Sequence, residues 1–161
     1  MTTITPCLWF DGRAEEAARF YVELFPDARI EAIRRAASDN PSTPEGAVLT
    51  VELSIGTQRF VALNGGPDYR FTEAVSFMID CADQTEVDRY WAALTADGGE
   101  PGPCGWCKDR FGLSWQVVPT RLDELLNGPD ADGARRAMQA MLEMSKLDIA
   151  ALENAYEGRS S

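Results

Sequence analysis

Hydrophobic and polar positions alternate through "AVLTVELSIGTQRFVALNGGP", residues 47–67, in the way a β-hairpin requires. Leu49, Val51, Leu53 and Ile55 share one parity, while Thr50, Glu52 and Ser54 share the other. Gly56-Thr57 then fits a two-residue turn with glycine first. Upstream, "TITPCLWF" reads as a short strand entered through a proline. In "DGRAEEAARFYVELFPD", Ala14, Ala17, Ala18, Tyr21, Leu24 and Phe25 recur at helical spacing. Asp11 is the expected N-cap, and Pro26-Asp27 the stop. "ARIEAIRRA" reads as a strand and "DNPSTPEG" as a loop.

The pattern then restarts. "EAVSFMIDC" is strand-like. "ADQTEVDRYWAALTADGG" predicts a helix with a capping box from Asp83 to Glu86 and an apolar stripe of Val87, Tyr90, Trp91 and Leu94, closed by Gly98. "CGWCKDRFGLSWQVVP" predicts two short strands around a turn at Asp109–Gly112. Element order therefore repeats although the sequence hardly does. Beyond residue 119 the chain reads as helical. Arg121 to Leu126 makes a turn or two, Met138, Met141 and Leu142 form a stripe, and Asp148 caps a last helix with Leu147 and Leu152 at staple positions. Such a stripe packs against the body or a second subunit.

Composition narrows the function classes. The chain of 161 residues, 45% of them hydrophobic, can bury one core or two similar half-cores. A net charge of −11 repels phosphate backbones and argues against nucleic-acid partners. No apolar run approaches the roughly 20 residues of a membrane span. The opening "MTTITPCLWFDG" lacks a basic segment followed by a long apolar one, so no signal peptide and a cytoplasmic location are expected. Histidine is absent, which removes the commonest metal ligand and general base together with serine–histidine and cysteine–histidine catalysis.

Cys104-Gly105-Trp106-Cys107 has C-x-x-C spacing, which suits a redox dithiol, half of a zinc site, or neither. In an extended strand, residues three apart point to opposite faces and cannot pair. A redox pair ordinarily sits at a helix N-terminus, whereas Lys108 to Gly112 reads as a turn. Zinc needs about four ligands, and only the isolated Cys7 and Cys81 remain. Neither chemistry is therefore expected, with thiol redox the third functional reading.

The segments "ITPCLWFDGRAEEAARFYVELFPDA", "LTVELSIGTQRFVALNGGP", "AVSFMIDCADQTEVDRYWAAL" and "CGWCKDRFGLSWQVVP" resemble the vicinal-oxygen-chelate superfamily of glyoxalases, extradiol dioxygenases and bleomycin-resistance proteins. "ALNGGP" and the second cysteine segment point to its PhnB-like branch, often labelled 3-demethylubiquinone-9 3-methyltransferase. The resemblance implies an α+β fold: paired βαβββ modules with curved mixed sheets around a cleft, plus C-terminal helices. The first module then spans residues 1–66, the second 73–119 and the helical extension 120–161, within one domain of 1–161. A homodimer is implied as well. Metal-using members place ligands at positions that fall near Thr5, Ala62 to Asn64, Ala74 and Gln116. Those residue types are weak or impossible donors, so no metal and no other cofactor is expected.

Within that implied cleft, alternation assigns Cys7, Trp9, Thr50, Glu52, Ala62 and Asn64 to the inner face of the first module. It assigns Ala74, Ser76, Met78, Ser114 and Gln116 to that of the second. Trp9, Asn64, Ser76 and Gln116 are the candidate ligand contacts, with Cys7, Glu52 and Trp106 at the margin; packing is the simpler role for Trp9 and Cys7, and a turn role for Asn64. This mixture suits an uncharged or weakly polar small organic ligand. The alternative is an enzyme, either the methyltransferase of the family label or a glyoxalase- or dioxygenase-like activity, with no catalytic residue identified. No glycine-rich strand-to-helix turn is present to seat a methyl donor or dinucleotide.

Overall fold

The computed structural model describes residues 1–160, which form two compact units, Met1–Phe71 and a second beginning at Thr72. In the first unit, β1 (Cys7–Phe10), α1 (Ala14–Leu24), β2 (Ala28–Arg35), β3 (Val48–Ile55) and β4 (Gln58–Asn64) follow in order. The strands make one sheet in the order β1-β4-β3-β2, with β1 and β4 parallel and the other pairs antiparallel. The turn at Gly56-Thr57 sets the hairpin by pairing Ile55 with Gln58. Gly56, at φ 55°, takes the left-handed backbone that its position requires.

α1 lies on this sheet through a face of small residues. Ala14, Ala17 and Ala18 are fully buried, beside Tyr21 and Leu24. Short side chains let the helix approach closely, so Leu8, Phe10, Val51, Leu53, Phe60 and Ala62 are sealed beneath it. Each of the larger ones contributes about 1.5–3 kcal/mol by leaving water. The expected N-cap, Asp11, does not cap: α1 begins after Arg13 with no capping hydrogen bond from that residue's side chain. Asn64, at the end of β4, accepts from the Ala14 N–H instead, at 2.9 Å.

The second unit repeats the plan with β5 (Ser76–Cys81), α2 (Gln84–Thr95), β6 (Glu100–Pro101), β7 (Trp106–Lys108) and β8 (Ser114–Pro119), in the sheet order β5-β8-β7-β6. α2 has its capping box: Asp83 accepts from the Glu86 N–H, and Glu86 reaches back to accept from the Ala82 N–H. Val87, Tyr90 and Leu94 are buried, against a sheet face that carries Ile79, Trp115 and Val117. In the β7–β8 loop, buried Asp109 accepts from the Phe111 and Leu113 N–H groups and from the Trp115 indole.

Three helices complete this unit: α3 (Thr120–Leu126), α4 (Ala131–Leu142) and α5 (Ile149–Tyr156). They share a core of Leu122, Leu125, Ala137, Leu147 and Leu152. Asp148 caps α5 by accepting from the Ala151 N–H, as its spacing predicts. Of the methionine stripe, Met141 packs against that core, while Met138 and Leu142 stay exposed. No helix among the described residues is long and apolar enough to cross a membrane.

The double cysteine departs from expectation in its backbone. Cys104 lies in a turn before β7, not in a strand. Its φ is 56° and that of Gly105 is 83°, and the Trp106 N–H closes the turn on the Pro103 carbonyl. This mirror-image turn suits a hairpin entry but strains a non-glycine residue at Cys104.

Candidate functional site

In the first unit, the strand register sorts the candidates onto two faces. Trp9 sits beside Leu63, which pairs with Thr50; Cys7 sits beside Val61, which pairs with Glu52. Cys7, Trp9 and Glu52 therefore share the face turned away from α1. Asn64 pairs with Phe10 and Ala62 with Leu8, on the buried helix side. Alternation had placed Ala62 and Asn64 with Trp9; the two-residue turn shifts β4 by one position relative to that reading and reverses its faces.

Asn64 is 6% exposed, and both ends of its amide are occupied. Its Oδ1 accepts from Ala14, and its Nδ2 donates to the Val48 carbonyl at 2.9 Å. The next two residues serve Trp9. A Cβ on Gly65 would fall about 2.3 Å from the indole ring, so only glycine lets the ring lie there. The Trp9 indole N–H donates to the Gly66 carbonyl at 2.8 Å, and Tyr69 packs edge-on at 4.9 Å. "LNGGP" is thus a structural phrase that caps a helix and seats a tryptophan.

Glu52 receives the Arg34 guanidinium at 2.8 Å, with Arg59 at 3.6 Å. The Arg34 hydrogen bond and charge hold the Glu52 carboxyl below its ordinary value. Cys7 is an exposed residue whose thiol is pushed up by partial desolvation, so it is no activated nucleophile.

The second unit brings its candidates together in two cross-strand rows on the face away from α2. Ser76, Ser114, Lys108 and Glu100 form one row; Met78, Gln116 and Trp106 form the next. Gln116 Nε2 donates to Ser76 Oγ at 2.9 Å. An open cleft of about 460 Å³ lies over part of this face. Its walls are Pro101, Gly102, Pro103, Cys104, Trp106 and Cys107, with Glu73, Glu100, Lys108 and Ser114 supplying the polar atoms. Lys108 and Glu73 pair at 2.5 Å, which lowers the Glu73 carboxyl and raises the Lys108 ammonium. Burial, helped by Asp109, pushes the Cys107 thiol up to about 12. Of the seven candidate ligand contacts Trp106 alone lines this cleft, together with Ser114, which alternation assigns to the inner face. Lys108 was within reach of the same alternation that selected Trp106, whereas two-residue β6 is too short to show a pattern.

The model of the family described as 3-demethylubiquinone-9 3-methyltransferase matches residues 2–118, well over half the chain. The chain belongs to that family. Among solved structures, a putative 3-demethylubiquinone-9 3-methyltransferase, the PhnB protein of Bacillus cereus, is 29% identical with a TM-score of 0.64, over 74% of this chain and 100% of that one. A protein from Pseudomonas aeruginosa is 23% identical with a TM-score of 0.60, covering 74% and 98%. A glyoxalase/bleomycin resistance protein from Albidiferax ferrireducens is 15% identical with a TM-score of 0.45, covering 71% and 95%. No curated protein matches. The chain is thus a PhnB-like member of the vicinal-oxygen-chelate superfamily, with the α+β glyoxalase/bleomycin-resistance fold. The family match ends before α3.

Members of this superfamily that use a metal need donors where this chain has few. Ala74 and Ala62 have none, the Asn64 amide is spent inside its own unit, and Gln116 engages Ser76. No group of three or more Cys, Asp or Glu side chains able to hold a metal occurs among the described residues. The residues present do not fit a metal centre. A methyl donor fares no better at the strand-to-helix connections. Residues 11–13 carry one glycine and residues 82–83 none, so neither makes a glycine-rich cradle.

Proposed function

We propose that this protein binds an uncharged or weakly polar small organic molecule, without a metal ion, in the cleft of its second unit. The observation that carries the reading is that cleft of about 460 Å³, largely apolar, with Trp106 as its aromatic wall. Its volume falls in the range of small-molecule sites, roughly 300–1,000 Å³. What supports binding over turnover is the ionisation of the lining. The groups that shift all titrate further from pH 7: Glu73 downward, Lys108 and Cys107 upward. None of these three is poised to exchange a proton near pH 7.

Gln116 and Ser76 belong to the same sheet face and extend the contact surface beyond Trp106. Cys7, Trp9 and Glu52 form a separate polar–aromatic face on the first unit, and Asn64 stays with α1. The same reading holds that the protein works as a homodimer in the cytoplasm. Exposed Met138 and Leu142 on α4 support the first part, and four free cysteines the second.

Native mass spectrometry of the purified protein, followed by ligand titration against the parent and Trp106→Ala, tests the proposal. A bound or screened neutral molecule whose affinity falls at least about tenfold in Trp106→Ala is expected. Equal affinity in the two proteins, or stoichiometric transition metal by elemental analysis, overturns it. A monomer mass across micromolar concentrations in light scattering overturns the dimer.

A further inference from the structure

Ser114 is 1% exposed, and its Oγ has no hydrogen-bond partner among the described residues, yet the residue lines the cleft. A buried hydroxyl without a partner is costly, and a native fold seldom keeps one without use. Resting on the cleft reading above, we propose that Ser114 Oγ is the polar recognition point of the site. The ligand is then a flat, mainly apolar molecule that presents a neutral carbonyl oxygen to it.

The cross-strand rows give the reasons for each part. Ser114 lies between Ser76 and Lys108 in register, and the neighbouring row carries Trp106. A planar ring over the Trp106 indole, between Pro101 and Pro103, brings its polar substituent to the serine–lysine row. That row holds surplus donors. Glu73 takes one of the three hydrogens on Lys108 Nζ, and Gln116 already donates to Ser76 Oγ, leaving the Ser76 hydrogen to give. A ligand oxygen entering there finds free hydrogens on Lys108, Ser76 and Ser114, and a carbonyl can accept them. It is also neutral rather than anionic. Lys108 is matched by Glu73 at 2.5 Å, and Glu100 is its partner in register, so these three side chains together carry one net negative charge. A carboxylate would be repelled by that balance.

The test uses three probes built on one ring: naphthyl methyl ketone, ethylnaphthalene and naphthoate. The first two have nearly the same shape and differ by the carbonyl oxygen. Binding is followed through the Trp106 indole N–H resonance in the full chain. The parent is expected to hold the ketone about 3- to 10-fold more tightly than ethylnaphthalene, the range of one neutral hydrogen bond, and naphthoate most weakly. Ser114→Ala is expected to erase the preference by weakening the ketone alone. Because it removes an unpartnered hydroxyl, it is also expected to unfold at the parent's temperature or above it. Equal binding of ketone and ethylnaphthalene by the parent overturns the role of Ser114 while leaving the cleft reading intact. Tightest binding of naphthoate overturns the neutral-ligand assignment. A marked loss of stability in Ser114→Ala means the hydroxyl serves the fold, and overturns it too. Failure of all three probes to move the Trp106 resonance refutes the cleft and, with it, the inference.

Discussion

Asn64→Ala separates a structural role for this residue from a ligand role. Two backbone groups lose their partner in the variant, one buried and one half-buried. The Ala14 N–H at the start of α1 loses its acceptor, and an N-cap deletion of this kind costs about 0.5–2 kcal/mol. The Val48 carbonyl loses its donor; because Val48 is half-buried, water recovers part of a penalty that runs about 1–3 kcal/mol in full burial. The two losses together come to about 1–4 kcal/mol, which lowers the melting temperature by roughly 2–16 °C in a chain of this size. Asn64→Asp is the matched control. Its carboxylate still accepts from Ala14 and suits the positive end of α1, but it faces the Val48 carbonyl without a hydrogen to offer. About half the loss is expected. Urea unfolding followed by circular dichroism measures both variants. A cost below about 0.5 kcal/mol for Asn64→Ala refutes the capping argument. So does a variant with parental stability that no longer binds ligand, because the amide would then be a contact residue, as alternation alone suggested.

Other outcomes follow from particular groups. At pH 8, iodoacetamide is expected to label Cys104 and Cys7 while Cys81 and Cys107, both buried with thiols pushed up to about 12, stay unlabelled until the protein unfolds; mass spectrometry of timed samples reads this. Gly105→Ala is expected to cost at least about 1–2 kcal/mol, since φ is 83° and the new Cβ would meet the Val117 carbonyl at 2.8 Å and Leu147 at 3.0 Å; the check is urea unfolding, with hydrogen exchange in α5 accelerating. The Glu52 carboxyl is lowered in the fold by Arg34, so its contribution is present above the unfolded carboxylate pKa of about 4.3 and disappears as pH falls through the folded value. Glu52→Gln should therefore flatten the loss of stability between about pH 5 and pH 3, by a small amount that salt reduces further, because the pair is exposed.

Most of the fold was open to reading because its signals are local. The period-two run of β3, the capping box of α2 and the Asp148 cap each depend on residues within a few positions of one another. The face of β4 was legible too, and was misread. Once Gly56-Thr57 closes a two-residue turn, Ile55 must face Gln58, and counting outward pairs Glu52 with Val61 and Thr50 with Leu63. Asn64 then cannot share a face with Trp9. Its capping of α1 was harder to see, because Asp11 is the better local candidate. Only the parallel pairing of β1 with β4 brings residue 64 to the start of the helix, 50 positions away. The cleft was partly hidden for a similar reason: Glu73, Glu100 and Lys108 converge through pairing across β6, β7 and the loop before β5.

The double cysteine illustrates how a motif acquires a role from its partners. Its spacing suggests chemistry, but Cys107 is buried with its thiol pushed up to about 12, and Cys104 sits in a mirror-image turn whose first two backbone N–H groups bond outside the turn. Those groups do the observable work. Cys104 N–H donates to the Met144 carbonyl and Gly105 N–H to that of Ser145, both at 2.8 Å, while Ser145 Oγ donates to the Gly102 carbonyl. Gln84 grips the same linker from α2: its Nε2 donates to the Leu147 carbonyl and its Oε1 accepts from the Ile149 N–H. The segment from Met144 to the start of α5 is thereby pinned by five hydrogen bonds, next to the wall of the cleft. That linker lies beyond the family match, which ends at residue 118. The turn must therefore be understood from this chain's own C-terminal extension: the linker between α4 and α5 supplies the carbonyls that satisfy it, and it holds Gly102 and Cys104, two of the residues against which a ligand would rest.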